Sequence, residues 1–251
     1  MDKVCIVSAV RDMSMYERCL KTNPFLAGAE LCPIDNKDRN ESISLCYNKF
    51  LESRPVGECA WYVFCHEDFE PKEALLPLLS ELDKDSLWGP IGAVTRVRCG
   101  FYHQWRLLGC IEECGKDGSR AHTVGEPVAR GALVDTFDCQ CLIVHSSLIQ
   151  RHHFCFDEHL TFDLYVEDFC MAAAQDGVAS RILPLLARHW SGGSVLPRYY
   201  IQEAYINAKY PNVSFTGVSS WVLGGSPSLS LRLTVAAKRA VRMVCGVFSR
   251  R

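Results

Sequence analysis

The sequence predicts an α/β protein built around a mainly parallel sheet, and three observations lead there. Apolar runs of strand length, VCIVSAV at 4–10 and WYVF at 61–64, are hydrophobic almost throughout, as strands covered on both faces are. Segments of helical spacing separate such runs, so that strand, helix, strand, helix and strand follow in order over the first 70 residues. Polar clusters stand at the strand ends, where ligands of open α/β sheets bind.

Taken in order, Val4–Val10 is the first strand, with Arg11 and Asp12 at its exit, and Met15–Leu20 has helical spacing. Glu30–Ile34 reads as a short strand that Pro33 confines to an edge or strand end. It empties into the polar loop 35–40. Glu41 to Ser53 is the second helix, with Asn40 as N-cap and Ile43, Tyr47, Phe50 and Leu51 on one face. WYVFCHEDFE, Trp61–Glu70, is a buried strand ending in His66, Glu67 and Asp68. Alternation sends His66 and Asp68 off one face and Glu67 off the other. By themselves these ten residues fit a solvated turn better than a site. Pro71 to Leu82 predicts a helix with Pro71 in its first turn and a break or kink at Pro77. Pro90–Val97 is a further strand.

Beyond Val97, segments 106–113 and 121–124 flank a Gly-rich turn and predict a hairpin. Val134–Val144 is a strand, Phe154–Glu158 a loop, and Leu164 to Gln175 a helix that Gly177 stops. Ala179–Leu186 is the last strand, leading into RHWSGG at 188–193. Residues 231–248 form a basic amphipathic helix with Arg232, Arg239 and Arg242 on one face and Leu233, Ala237, Val241, Val244 and Phe248 opposite. Such a helix suits an anionic membrane surface, and equally suits packing on its own domain or a second subunit.

Composition sets bounds. With 251 residues, 48% hydrophobic, 22% charged and net charge −2, the chain is long enough for one large domain, and nothing in the balance points to nucleic acid. From Leu229 onward there are six basic residues and no acid, which leaves −8 for everything before. The 14 cysteines sit mostly inside apolar runs, without a CxxC pair, and read as free thiols rather than a disulfide scaffold or zinc site. With no leader-like start and no run of membrane-spanning length, a reducing cytoplasm is expected, where the sequon at Asn212 would be idle. The glycine spacings of a P-loop, a GxGxxG turn and a GxSxG elbow are missing. His152 and His153 read as surface groups, and His103 and His122 have no identifiable partner.

Together these segments resemble the family 2-like glycosyltransferases of GT-A fold, in particular a bacterial branch in which His-x-Asp replaces the usual DxD. The resemblance runs from Lys3 to about Gly193 and rests on the order and spacing of five segments. It implies a Rossmann-like central mixed, mainly parallel sheet flanked by helices. It implies one domain over 1–228, with a nucleotide-binding half of about 1–97 and an acceptor half of about 98–228, and a separate tail at 229–251.

The first strand, with Ser8 and Val10, resembles the nucleotide-binding strand, and Asp35-Asn36 the segment lying against the nucleobase. Asn48 falls where a helical Asn approaches the nucleotide. His66 stands at the first position of the metal motif and Asp68 at the last, which in the family holds a divalent cation, Mn or Mg, between diphosphate oxygens. Phe156-Asp157-Glu158 is similar to the family's FDE turn. His189 stands where such enzymes place a His near metal and diphosphate. Residues 165–177 resemble the helix that opens with the catalytic base. One departure matters there: aligned back from Gly177, the position of the base falls on Val166, which cannot accept a proton. Asp168 is then the first candidate base, with Glu167 and Asp163 behind it.

The function so implied is transfer of a sugar from a nucleoside-diphosphate sugar to a hydroxyl of a glycan or lipid-linked acceptor, with inversion, in cell-surface polysaccharide biosynthesis. It would take place in the cytoplasm or on the inner face of the cell membrane. Such chemistry needs a Lewis acid for the leaving diphosphate, a carboxylate for the acceptor proton and loops that hold the donor in line. Each residue has a plainer reading: Asp35 as a turn cap, Asn48 as an exposed helix residue, His189 as a core His, and Asp168 as a first-turn acid favoured by the helix dipole. Two rival functions follow, an inactive binding or scaffold protein and a sugar nucleotidyltransferase. The latter would want glycines that SAVRDMS lacks.

Overall fold

The computed structural model describes residues 2–191 and 197–248, with side chains described as far as 241. Strand β1 (Lys3–Val10) leads into helix α1 (Met13–Tyr16), which continues as a π turn over Glu17–Lys21. Asp12 caps α1 by accepting from the Met15 amide at 3.2 Å. Then follow β2 (Glu30–Asp35), α2 (Ile43–Glu52), β3 (Ala60–Cys65), β4 (Phe69–Pro71), α3 (Leu75–Ser80), β5 (Ser86–Gly89), β6 (Ile91–Arg98), β7 (Tyr102–Glu113) and β8 (His122–Glu126). The rest comprises β9 (Leu133–Val134), β10 (Thr136–Phe137), β11 (Cys141–His145), α4 (Ser146–His152), α5 (Tyr165–Gln175), β12 (Ala179–Ile182), β13 (Ala187–His189), α6 (Pro197–Lys209) and α7 (Leu229–Phe248).

The architecture is mixed α/β, with a central sheet ordered β2-β1-β3-β11-β5-β12-β9 and helices against it. β2, β1, β3, β5 and β12 run one way, and β11 and β9 run against them. The predicted β-α-β-α-β opening is present, with β2 at the sheet edge where Pro33 is tolerated. Alternation along β3 fills two cores. Tyr62 and Phe64 join Tyr47, Phe156, Tyr165 and Phe169 on one side of the sheet, while Trp61, Val63 and Cys65 join Tyr16, Leu20, Leu75 and Trp88 on the other. The ring centroids of Tyr47–Phe64, Phe64–Phe156 and Phe156–Phe169 lie 4.8, 5.0 and 4.9 Å apart. Truncating Phe64 to Ala would cost about 3–5 kcal/mol by the usual large-to-small rule.

A second sheet, β10-β6-β7-β13-β4 with β8 on β7, was foreseen only as its β6 strand and the β7–β8 hairpin. It explains the largest departures from the sequence reading. The predicted strand 134–144 is three strands, because Val134 pairs with Ser180 in the first sheet while Phe137 pairs with Gly92 in the second. Gly92 permits the crossing: a Cβ there would lie 2.6 Å from the Thr136 carbonyl oxygen. The predicted strand 179–186 stops early, at Ile182 in the first sheet, and a separate strand just beyond it, β13, enters the second.

Smaller corrections are local. The α2 cap is Ser42, whose hydroxyl accepts from the Leu45 amide at 3.1 Å; Asn40 turns left-handed before it at φ 48°. Pro71 ends β4 instead of starting a helix. Pro77 is the third residue of α3, where no amide is needed, so the helix runs on. Gly177 stops α5 at φ +77°, as predicted. Helices α4 and α6 were not read from the sequence. Helix α7 packs on β7: Ser230 bonds His103 at 2.9 Å, Leu231 is buried, and the Lys238 ammonium lies 4.1 Å from the Trp221 ring. Leu233 and Val241 stay exposed, while the side chains of Arg242, Val244 and Phe248 lie outside the described residues. Gly192, Gly193, Arg250 and Arg251 lie outside them too. Among the described residues no helix is long and apolar enough to cross a membrane.

Candidate active site

Where β3 ends, the chain turns through His66, Glu67 and Asp68 into β4, which carries it from the first sheet to the second. There β13 lies between β4 and β7, so His189 stands opposite Phe69 on one side and Glu113 on the other. The Trp190 amide donates to the Asp68 carbonyl at 3.0 Å and locks the turn to β13. Two residues 121 positions apart in sequence are thereby placed side by side.

His66, Asp68 and His189 offer ligand atoms within 4.8 Å of one another. The hydrogen bonds decide which atoms. Tyr165 donates its hydroxyl proton to the Cys139 carbonyl at 2.6 Å, so it can only accept from His66 Nε2, 3.1 Å away; the His66 Nδ1 lone pair is left facing Asp68. His189 donates Nδ1–H to the Glu113 carboxylate at 3.1 and 3.2 Å, which leaves Nε2 turned to Asp68 Oδ1 at 3.4 Å. Asp68 Oδ1 and His189 Nε2 are both buried, and beyond the ion pair they make with each other neither has a well-formed hydrogen bond. Two imidazoles and one carboxylate, each His oriented by a second group, suit a divalent transition-metal cation, and Mn²⁺, though hard, accepts imidazole beside oxygen ligands. The two other clusters of this type among the described residues do not. In Cys5–Glu30–Cys32, Lys3 sits on Glu30 at 2.6 Å. In Asp2–Cys59–His145, Lys84 holds Asp2 at 2.6 Å, and His145 Nδ1 accepts from the Ser147 amide, so Nε2 carries the proton.

Burial pushes His66 down to about 4, against a smaller upward pull from Asp68. For His189 burial acts downward too, but Asp68 and Glu113 outweigh it and raise the imidazole to about 10. Burial alone would raise Asp68; the His189 imidazole holds it below the ordinary carboxylate value.

These three residues line a pocket of about 470 Å³ with Glu113, Asp138, Asp163 and Glu167. Glu167, in the first turn of α5, is 3% exposed; burial and then the Asp138 charge push it up to about 8, although the Cys139 thiol donates to it at 3.0 Å. Burial raises Asp138 as well. Leu164, at φ +62°, bends the chain between Asp163 and α5, a strain of the kind found at functional sites. The Asp163 carboxylate accepts from Arg198 Nε at 2.7 Å.

The structure does not bring Asp168 into this pocket. It faces the other way, where Lys209 Nζ donates to it at 2.8 and 2.9 Å and the Tyr210 hydroxyl at 2.8 Å, and it lines a separate cavity with Asn48 and Asp157. Val166 is buried in the core. Asn48 spends its amide on the Phe156 backbone and on Glu158, pinning the FDE turn. Asn36 closes its own loop through the Glu41 amide and carbonyl. Asp35 is exposed at the end of β2 and accepts from the Lys37 amide. Ser8 and Val10 are buried in β1, with the Ser8 hydroxyl unpartnered. Glu67 accepts from the amides of Arg11 and Asp12, both at 3.0 Å, and so ties the loop after β1 to the turn at 66–68.

Sequence reasoning missed Glu113, Asp138 and Tyr165 as site residues. No local signal marks them, since each acts through a partner far along the chain. His103 and His122 both have partners, Ser230 and the Arg120 carbonyl, and His122 lines the pocket.

No protein-family model matches the chain, and no curated protein matches it in sequence. Among solved structures it is similar to GalNAc-T7, crystallised with UDP, GalNAc and Mn²⁺, at 9% identity and a TM-score of 0.46. That match covers 82% of this chain and 48% of the other, so the chain spans about half its length. It is also similar to A197 from STIV at 11% identity and a TM-score of 0.38, over 91% of this chain and 96% of that one. Likenesses this weak carry no argument about function.

Proposed function

We propose that the chain is a divalent-cation-dependent glycosyltransferase of GT-A type, family 2-like, which moves a sugar from a nucleoside diphosphate to an acceptor hydroxyl. The observation that supports it most is the convergence of His66 Nδ1, Asp68 Oδ1 and His189 Nε2, the last two buried and paired only with each other, in the same pocket as Glu167. A bound Mn²⁺ or Mg²⁺ would supply Lewis-acid neutralisation of the leaving diphosphate. His66, Asp68 and His189 would hold it, Glu113 and Tyr165 setting the two ring tautomers.

The remaining work falls to the chain's own groups. Glu167, raised to about 8 and facing the pocket, takes the acceptor proton in its ionised form, which predominates only above that pH, with Asp163 in reserve. Asp168, committed to Lys209, is a structural acid here. The ends of β1 and β2 hold the nucleoside, Asp35 offering an exposed carboxylate and Glu67 fixing the Arg11–Asp12 amides. A single base opposite the leaving group gives inversion. The acceptor, glycan or lipid-linked, is reached at the cytoplasmic face of the membrane, with α7 as peripheral contact.

Thermal shift with uridine and guanosine diphosphates, with and without Mn²⁺, tests the reading. Stabilisation by a nucleotide only when the cation is present supports it. No response to any nucleotide sinks it and favours an inactive scaffold on the same fold.

A further inference from the structure

We propose that a second, smaller pocket beside the first binds a phosphate group carried by the acceptor. This cavity of about 210 Å³ lies between α6, the turn at 219–221 and α7, and shares Tyr199 and Ser219 with the larger pocket. Its α7 wall presents Lys238 and Arg239.

Neither cation meets a carboxylate among the described residues. Lys238 is instead placed by aromatic rings: its ammonium lies 4.1 Å from Trp221 and 5.5 Å from Tyr102, and Trp221 is backed by Trp105 at 6.1 Å. A ring face orients a cation without cancelling its charge. The single acid in the wall, Glu203, accepts from the Ser220 hydroxyl, which also meets the Tyr199 phenol at 2.9 Å. An ammonium and a guanidinium on adjacent residues, with the Ser219 hydroxyl nearby, match an anion with several acceptor oxygens. The charge distribution agrees, since the chain before Leu229 carries −8 and the cations come from α7. An acceptor anchored here by its phosphate would extend past Tyr199 and Ser219 towards Glu167.

That the ligand is the acceptor rests on the transferase reading; that the pocket binds phosphate does not. Calorimetry on the metal-free full chain would use glucose 1-phosphate, glucose, and a polyprenyl phosphate in neutral nanodiscs. At least one phosphorylated probe should bind and glucose should not. The double variant K238Q/R239Q should weaken that binding at least tenfold, and Arg239→Gln alone, at an exposed position, by a smaller factor. Mn²⁺ affinity should be unchanged in both, and Asp68→Asn should leave phosphate binding intact. Binding of the lipid alone identifies a lipid phosphate as the source, and binding of both a soluble ester. No phosphate binding, or equal binding by K238Q/R239Q, overturns the proposal. Phosphate binding without transfer from any nucleotide sugar would remove only the transferase reading. Undiminished transfer by K238Q/R239Q would remove only the acceptor assignment.

Discussion

Cation binding at His66, Asp68 and His189 should release one proton. A ligand must present a lone pair, so any imidazole protonated in the free protein has to lose its proton first. His66, lowered to about 4, is neutral across pH 6–8, and Asp68, held low, is ionised. His189, raised to about 10 between Asp68 and Glu113, is protonated over the same range. One proton per cation means that log K for Mn²⁺ rises by about one for each pH unit, roughly 100-fold from pH 6 to pH 8, or about 2.8 kcal/mol. Electron paramagnetic resonance of free Mn²⁺ gives the affinity at pH 6, 7 and 8. Calorimetry in two buffers of different ionisation enthalpy counts the proton. A flat affinity would refute the reasoning by showing His189 already neutral, and a slope of two would refute it by showing His66 charged. The metal-free protein should respond in the opposite sense. His189 has a folded value above its unfolded one of 6.5, so its stabilisation is complete below that pH and is lost as pH rises through about 10.

Other outcomes follow from individual residues. Glu113→Ala leaves the His189 ring unoriented and should lower Mn²⁺ affinity about 10–100-fold at pH 8, read by the same titration. Glu167→Gln should remove about 10²–10⁴-fold of any transfer rate while the melting temperature holds or rises, because it neutralises a buried acid that is largely protonated at pH 7. Asp168→Asn should do the reverse, weakening the bonds to Lys209 and Tyr210 at a cost of about 1.5–3 kcal/mol in denaturant titration, since Lys209 keeps Asp157 at 2.7 Å. Asn48→Ala should destabilise by about 1–3 kcal/mol, since the Phe156 amide and carbonyl lose their partners. Replacing exposed Leu233 and Val241 by Ser should abolish co-sedimentation with anionic liposomes; if the parent chain itself stays in the supernatant, the membrane role of α7 falls.

The legible parts were those encoded by neighbouring residues. Continuous apolar runs announced β1 and β3, helical spacing announced α2 and α5, and Gly177 announced where α5 stops. The polar end of Trp61–Glu70 named His66 and Asp68, but the strand alternation read there does not apply: β3 ends at Cys65, and a turn brings the two side chains together. The illegible parts depend on which strand meets which. Residues 134–137 read as one strand with 141–144, since nothing in their composition says that the chain changes sheets there. The choice between Glu167 and Asp168 could not be read either: neighbours on a helix face different ways, and only the packing of α5 decides which side is pocket and which meets Lys209.

By itself, then, the sequence determined β1, β2, α2, β3 and α5, the parallel opening of the first sheet and the residue types available for chemistry. The tertiary structure decided the site. The second sheet sets His189 between Asp68 and Glu113, and Tyr165 fixes the proton on His66. A metal-ligand set is defined by lone pairs converging within a few ångströms, and that convergence is made by strand pairing and hydrogen bonds between residues more than 70 positions apart, on which local sequence carries no information.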